Sequence, residues 1–177
     1  MKSIVIAVAL WCVGAFAVSA QEYFNGIPLS ATELLQYEST KTKGKGGIPP
    51  FSKYQFERKR ATKFITDADS MQLWGYHVHA NLDFDRSRQP MFRVFKKADM
   101  KAMAVIDHFG GEHKSCDIIF WHKQIYRRYA AQLRRAGFQL RQSSKYTNVL
   151  EFRKRDVSVG VDMEIWNDIY IMHVLIL

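Results

Sequence analysis

Apolar and polar residues alternate strictly from Trp74 to Asp85. Trp74, Tyr76, Val78, Ala80, Leu82 and Phe84 share one parity; Gly75, His77, His79, Asn81, Asp83 and Asp85 share the other. A period of two predicts a β-strand with one face on a core and the other in solvent. Shorter stretches of the same kind flank it. Tyr54 and Phe56 alternate with Lys53, Gln55 and Glu57, and Phe64-Ile65 resume after the polar connection Arg58-Lys59-Arg60. Met91 to Phe95 reads as the strand that returns from a turn at Arg86–Pro90.

A helical period takes over twice. Near the start, Ser30 and Glu33 form a capping-box pattern ahead of Leu34, Leu35 and Tyr37, and this short helix is expected to fail by Lys41. Later, Ile118, Trp121, Ile125, Tyr129, Leu133 and Ala136 recur every three to four residues, predicting a long helix from Asp117 that Gly137 ends. Residues 96–109 fit a third, short helix, although Ala102 to Ile106 also fits a buried strand. The chain then closes with strands at Phe138–Gln142, Asn148–Arg153, Val157–Trp166 and Ile169–Leu177, the last two joined by a turn at Asn167-Asp168. The final strand is apolar on both parities except at His173, as an interior strand would be.

These elements predict an α+β fold: an antiparallel sheet of meander strands packed by one long helix and one or two short ones. Ser52-Lys53-Tyr54 returns as Ser144-Lys145-Tyr146, and Trp74 as Trp166, at the same offset. That recurrence suggests a tandem repeat of helix plus meander, with halves 25–95 and 117–177, within one domain spanning 21–177. The two sheets would then join edge to edge, with the helices on one face.

Composition places this fold outside the cell. Lys2 precedes a run without charge to Ala20, and Val18-Ser19-Ala20 supplies the small residues a signal peptidase needs, so 1–20 reads as a cleaved signal peptide. The expected location is secreted or periplasmic, with no membrane-spanning segment after the leader is removed. Hydrophobic residues make up 47% of the chain, enough for a packed core and too many for disorder. Without the leader, Cys116 is the sole cysteine; no internal disulfide can form, and burial as a small hydrophobe is expected.

Charge narrows the function further. The formal net charge is +9, and the excess concentrates in residues 39–63. Lys41, Lys43, Lys45, Lys53, Arg58, Lys59 and Arg60, with Arg127, Arg128, Arg134 and Arg135 of the long helix, form the candidate ligand-binding set. Such a surface attracts an acidic protein surface, a glycan or a lipid headgroup; export argues against nucleic acid.

Catalytic signals are few. His77 and His79, two residues apart on one strand, point the same way about 6.5–7 Å apart, which suits two ligands of a zinc ion. Asp107, His108 or His113 would have to supply the third. Cys116 with His113 or His122 lacks an orienting group, and Asp162 with Glu164 reads as surface charge. The expectation is therefore an exported, non-catalytic binding or interaction protein without a cofactor. The alternative is a metal-dependent hydrolase, with zinc on His77 and His79.

Overall fold

The chain was analysed as a computed structural model that describes residues 29–42, 49–59, 71–80, 95–108 and 115–177. The first helix, α1 (Ala31–Thr42), starts where the capping box predicts. The Ser30 amide and hydroxyl both donate to Glu33 Oε2, at 3.0 and 2.8 Å, and the Glu33 amide returns a bond to Ser30 Oγ at 3.2 Å. Two of the amides that a helix start leaves without partners are thereby satisfied. Ala31, Leu34, Tyr37 and Glu38 form its buried stripe.

Eight strands make one antiparallel sheet: β1 (Glu57–Lys59), β2 (Met71–Tyr76), β5 (Met103–His108), β6 (Ser115–Phe120), β10 (Ile169–Ile176), β9 (Val159–Trp166), β8 (Val149–Arg153) and β7 (Gln139–Gln142), in that spatial order. A separate ribbon pairs β3 (Val78–Ala80) with β4 (Phe95–Lys97). The second helix, α2 (Lys123–Arg135), lies on the same face as α1. This is the α+β meander fold the sequence predicts, built from two helices among the described residues. None of the helices there is long and apolar enough to cross a membrane.

The helix-covered face holds the larger core. Val105, Cys116, Ile118, Phe120, Phe152, Val161, Met163, Met172 and Val174 project from the sheet to meet Leu34, Tyr37, Ile125, Tyr129 and Leu133. Tyr129 also donates to the Leu29 carbonyl at 2.9 Å, and Gln132 Oε1 accepts from the Ala31 amide at 2.7 Å, which ties α2 to the start of α1. A smaller apolar cluster, including Leu73, Ala104, Ile106, Ile119 and Ile171, occupies the far face.

Several expectations are corrected. The helix expected over 96–109 is not formed: Lys96 and Lys97 belong to β4, and Met103–His108 is the strand β5, the alternative that Ala102 to Ile106 offered, with its first five residues, on both parities, buried. The long helix does not begin at Asp117: residues 115–120 are β6, hydrogen-bonded between β5 and β10. Ile118, Ile119 and Phe120 fill both faces of a central strand, and that apolar run mimics the stripe of a helix. The helix starts instead after His122, whose Nδ1 accepts from the Gln124 amide. Residues Pro50–Tyr54 form a 3-10 helix where a strand was expected, and Arg58-Lys59 belongs to β1 where a connection was expected. The long strand from Trp74 breaks at His77, whose φ is 49°. At Gly75 a Cβ would stand 2.4 Å from Val78 Cγ2, so the fold-back beyond the break needs glycine there. Residues 81–94, including Leu82, Phe84 and the turn at Arg86–Pro90, lie outside the described residues, as do Phe64-Ile65 and residues 1–28.

A helix followed by four sheet strands occurs on each side of the β6–β10 junction. The recurrent residues do not occupy equivalent places in the two runs. Ser52-Lys53-Tyr54 sits ahead of β1, whereas Ser144-Lys145-Tyr146 lies between β7 and β8; Trp74 is on the second sheet strand of its run and Trp166 on the third.

Candidate functional site

Three groupings of polar side chains stand out among the described residues. The first lies under α1. Lys41 Nζ donates to Glu38 Oε1 at 2.6 Å, to Asp107 Oδ1 in a short contact, and to the His108 carbonyl at 3.3 Å. Tyr37 donates to the other Asp107 oxygen at 2.7 Å. Burial pushes the Glu38 and Asp107 carboxyls above their ordinary range, against the pull of Lys41. Burial acts most strongly, to lower the Lys41 pKa, but the Asp107 charge and the hydrogen bonds to Asp107 and Glu38 together outweigh it and the ammonium is held. One cation is thus shared by two buried carboxyls.

Cys116 adjoins this cluster. One ligand atom each from Glu38, Asp107 and Cys116 lie within 4.8 Å of one another, a spacing that suits a metal ion. The Lys41 ammonium already supplies the cation, and burial pushes the Cys116 thiol well above its usual range. The thiol is a neutral core group, as its burial at 0% exposure requires, and is not a nucleophile.

The second grouping crosses the far face. His173 on β10 places Nδ1 2.8 Å from Asp117 Oδ1 and Nε2 3.2 Å from Glu164 Oε2. Carboxylates only accept, so both ring nitrogens carry protons and the ring is an imidazolium. Burial opposes that charge, yet the bonds to Asp117 and Glu164 raise the His173 pKa to about 9. Asp117 also meets His108 Nε2 at 3.2 Å. Its burial acts upward, but the two histidine bonds bring its pKa down to about 2. Trp166 Nε1 donates to Glu164 at 2.6 Å. Arg153 reaches Asp162 at 2.6 Å and Arg141 reaches Glu151 at 2.7 Å, so paired charges run from β5 to β7. A histidine held charged at neutral pH between two carboxylates is a poor general base there. This is a cross-strand ladder in which every member has a partner.

The third grouping is the outer face of α2. Lys123, Arg127, Arg134 and Arg135 are exposed, Arg128 is half-buried, and the helix contains no acidic residue. Among the described residues, none of the four exposed ones forms an ion pair. Burial raises the Tyr126 phenol while the Arg134 charge opposes it, so the Arg134 side chain lies close enough to act on a residue about two turns back.

The predicted ligand-binding residues therefore separate. Lys41 turns inward to Glu38 and Asp107, and Lys59 bonds Glu57. Lys53 on the 3-10 helix and Arg58 on β1 are exposed, while Lys43, Lys45 and Arg60 lie outside the described residues. The break at His77 ends β2, so His77 and His79 are not two positions of one continuous strand; His77 Nδ1 meets Asp99 Oδ2 at 2.6 Å. Among the described residues neither histidine belongs to a group of three ligands. Sequence reasoning missed both charged networks. The sole local signal was the Glu38/Lys41 spacing on one helix face; Asp107 comes from a distant strand. Comparison with known protein families, curated proteins and solved structures finds no match for this chain.

Proposed function

We propose that the protein is an exported, non-catalytic interaction module that recognises an anionic partner through its basic surface. One observation carries this reading: α2 places four exposed basic residues and a half-buried fifth on one helix that has no acid. Uniform charge on a rigid element attracts a polyanion and repels other cations. The leader-like residues 1–20 supply the export, and a mature chain starting at Gln21 is expected on N-terminal sequencing of protein from its native host.

The reading is tested with the mature protein on heparin resin. Retention at physiological salt with elution above about 0.2 M is expected, and the triple variant Arg127→Glu, Arg134→Glu, Arg135→Glu should elute well earlier. If the parent elutes below that salt, or with the triple variant, α2 is not the recognition face.

A further inference from the structure

The arginines of α2 are not evenly spread. The segment Arg127-Arg128-Tyr129-Ala130-Ala131-Gln132-Leu133-Arg134-Arg135 places an arginine at −4, −3, +3 and +4 relative to Ala131. On an α-helix these are the four surface neighbours of a position, with Cβ atoms about 5–6 Å away. Ala131 is half-buried, and its methyl group leaves the centre of the quartet low. Tyr129, Ala130 and Leu133 face the core and Gln132 is held by the Ala31 amide, so no other long side chain of that segment stands among the four.

We propose that Ala131 is the floor of an oxyanion-binding cradle, walled by the exposed Arg127, Arg134 and Arg135, that takes a sulfate group of a linear sulfated polysaccharide. The proposal rests on the anion-binding reading above and specifies its partner. Guanidinium groups present planar pairs of N–H donors that match two oxygens of one oxyanion, a geometry a lysine ammonium cannot reproduce. Arg127 and Arg134 lie seven residues apart, about 10 Å along the helix axis, and Lys123 extends the same cationic stripe by another turn. A chain bearing repeated sulfates can thus occupy the cradle with one group and the Lys123 end with another. A bilayer is the less suitable partner. The large apolar side chains exposed among the described residues are Met100, Leu140, Tyr146, Trp166 and Leu177, none of them on α2. Stable attachment to a membrane combines charge with buried apolar area.

The test measures binding of the mature protein to a heparin oligosaccharide and to vesicles containing anionic phospholipid, at one salt concentration. Ala131→Gln keeps the charge and the helix but fills the floor; Arg127→Lys with Arg134→Lys keeps the charge but removes the forks. Each should weaken heparin binding at least 5-fold, and Ala131→Glu at least 20-fold, while far-ultraviolet circular dichroism stays unchanged. Ser144→Glu, an equal charge change in the exposed β7–β8 loop, should shift it less than 2-fold. If heparin binds but Ala131→Gln and the lysine pair match the parent, the cradle is overturned and diffuse attraction remains. If vesicles bind and heparin does not, the polysaccharide is overturned. If neither binds at low salt, the anion-binding reading itself fails.

Discussion

Asp107 and Asp117 lie on neighbouring strands, one rung apart, and their carboxyls behave in opposite ways. Asp107 projects to the helix-covered face, at 0% exposure, and burial pushes its pKa up. Asp117 projects to the far face, and despite its own burial two histidines bring its pKa down to about 2. The difference lies in the charges that stand next to each carboxyl among the described residues. Under α1 two carboxyls share the single ammonium of Lys41. On the far face the Asp117 carboxyl has two imidazoles, and the His173 ring has two carboxylates. Alternation along a strand therefore sends consecutive residues, Asp107 and His108 or Cys116 and Asp117, into two electrostatic environments on either side of one sheet. Among the described residues, Lys123, Arg127, Arg134 and Arg135 on the outer face of α2 carry charge outside both networks and form no ion pair.

The comparison is broken most severely at Lys41. Lys41→Met leaves Glu38 and Asp107 buried together without their cation, and removing one partner of a buried ion pair costs about 3–5 kcal/mol. Urea denaturation at neutral pH should show that loss. It should shrink on acidification, because the folded variant gains by holding protons on carboxyls that the unfolded chain gives up. A loss below 1 kcal/mol, or one independent of pH, would mean that the cluster is hydrated and not a buried triad.

The far-face network should respond to pH with a different profile. The His173 pKa rises from 6.5 to about 9 on folding, so its contribution is fully present below pH 6.5 and is lost as pH rises through about 9. The Asp117 pKa falls from 3.8 to about 2, so its contribution is present above pH 3.8 and is lost as pH falls through about 2. Together they favour the fold most between roughly pH 4 and 6.5. His173→Gln should remove the alkaline decline, on the order of 2 kcal/mol after allowing for its partial exposure, and weaken the acid limb, because Asp117 then keeps His108 as its one charged neighbour of the two. Stability measured from pH 6 to 9.5 in parent and variant decides it: parallel curves would show that His173 does not carry the imidazolium bridge.

How much of this was legible in the chain follows from the range of each interaction. Ser30 and Glu33 announce α1 because a capping box is local, and Val159, Val161 and Met163 announce β9 because one of its faces is polar. β6 escaped, and β5 stood only as the alternative to a helix, for the opposite reason. Ala104, Val105 and Ile106, like Ile118, Ile119 and Phe120, are apolar on both parities, and central position in a sheet leaves no periodic signature. The break at His77 was hidden by unbroken alternation; Val78 folding over Gly75 and the Asp99 contact set it, and Asp99 is remote in sequence. Lys41 read as part of a basic patch since its partner Asp107 comes from another strand. The arginines of α2 were visible as charge, and their spacing around Ala131 stands in the sequence, since the expected helix and the observed one both contain residues 127–135.

The smallest expected effect sharpens the comparison at its exposed end. Arg141 pairs with Glu151 at 2.7 Å on the edge strand β7, yet its side chain is 65% exposed. An ion pair so open to water gains little over the hydrated ions and is screened by salt; double-mutant cycles of such pairs give about 0.2–1 kcal/mol. Arg141→Ala should thus cost no more than about 0.5 kcal/mol, and less at high salt. Glu151 keeps a neighbour in Arg153, whose NH2 stands 3.8 Å away and whose main bond is to Asp162. The far-face ladder is then graded, strong where His173 and Asp117 meet over the central strands and weak at its β7 end. A cycle of Arg141→Ala with Glu151→Gln that returned a coupling above 1.5 kcal/mol would show the edge to be as desolvated as the centre, and the gradient would vanish.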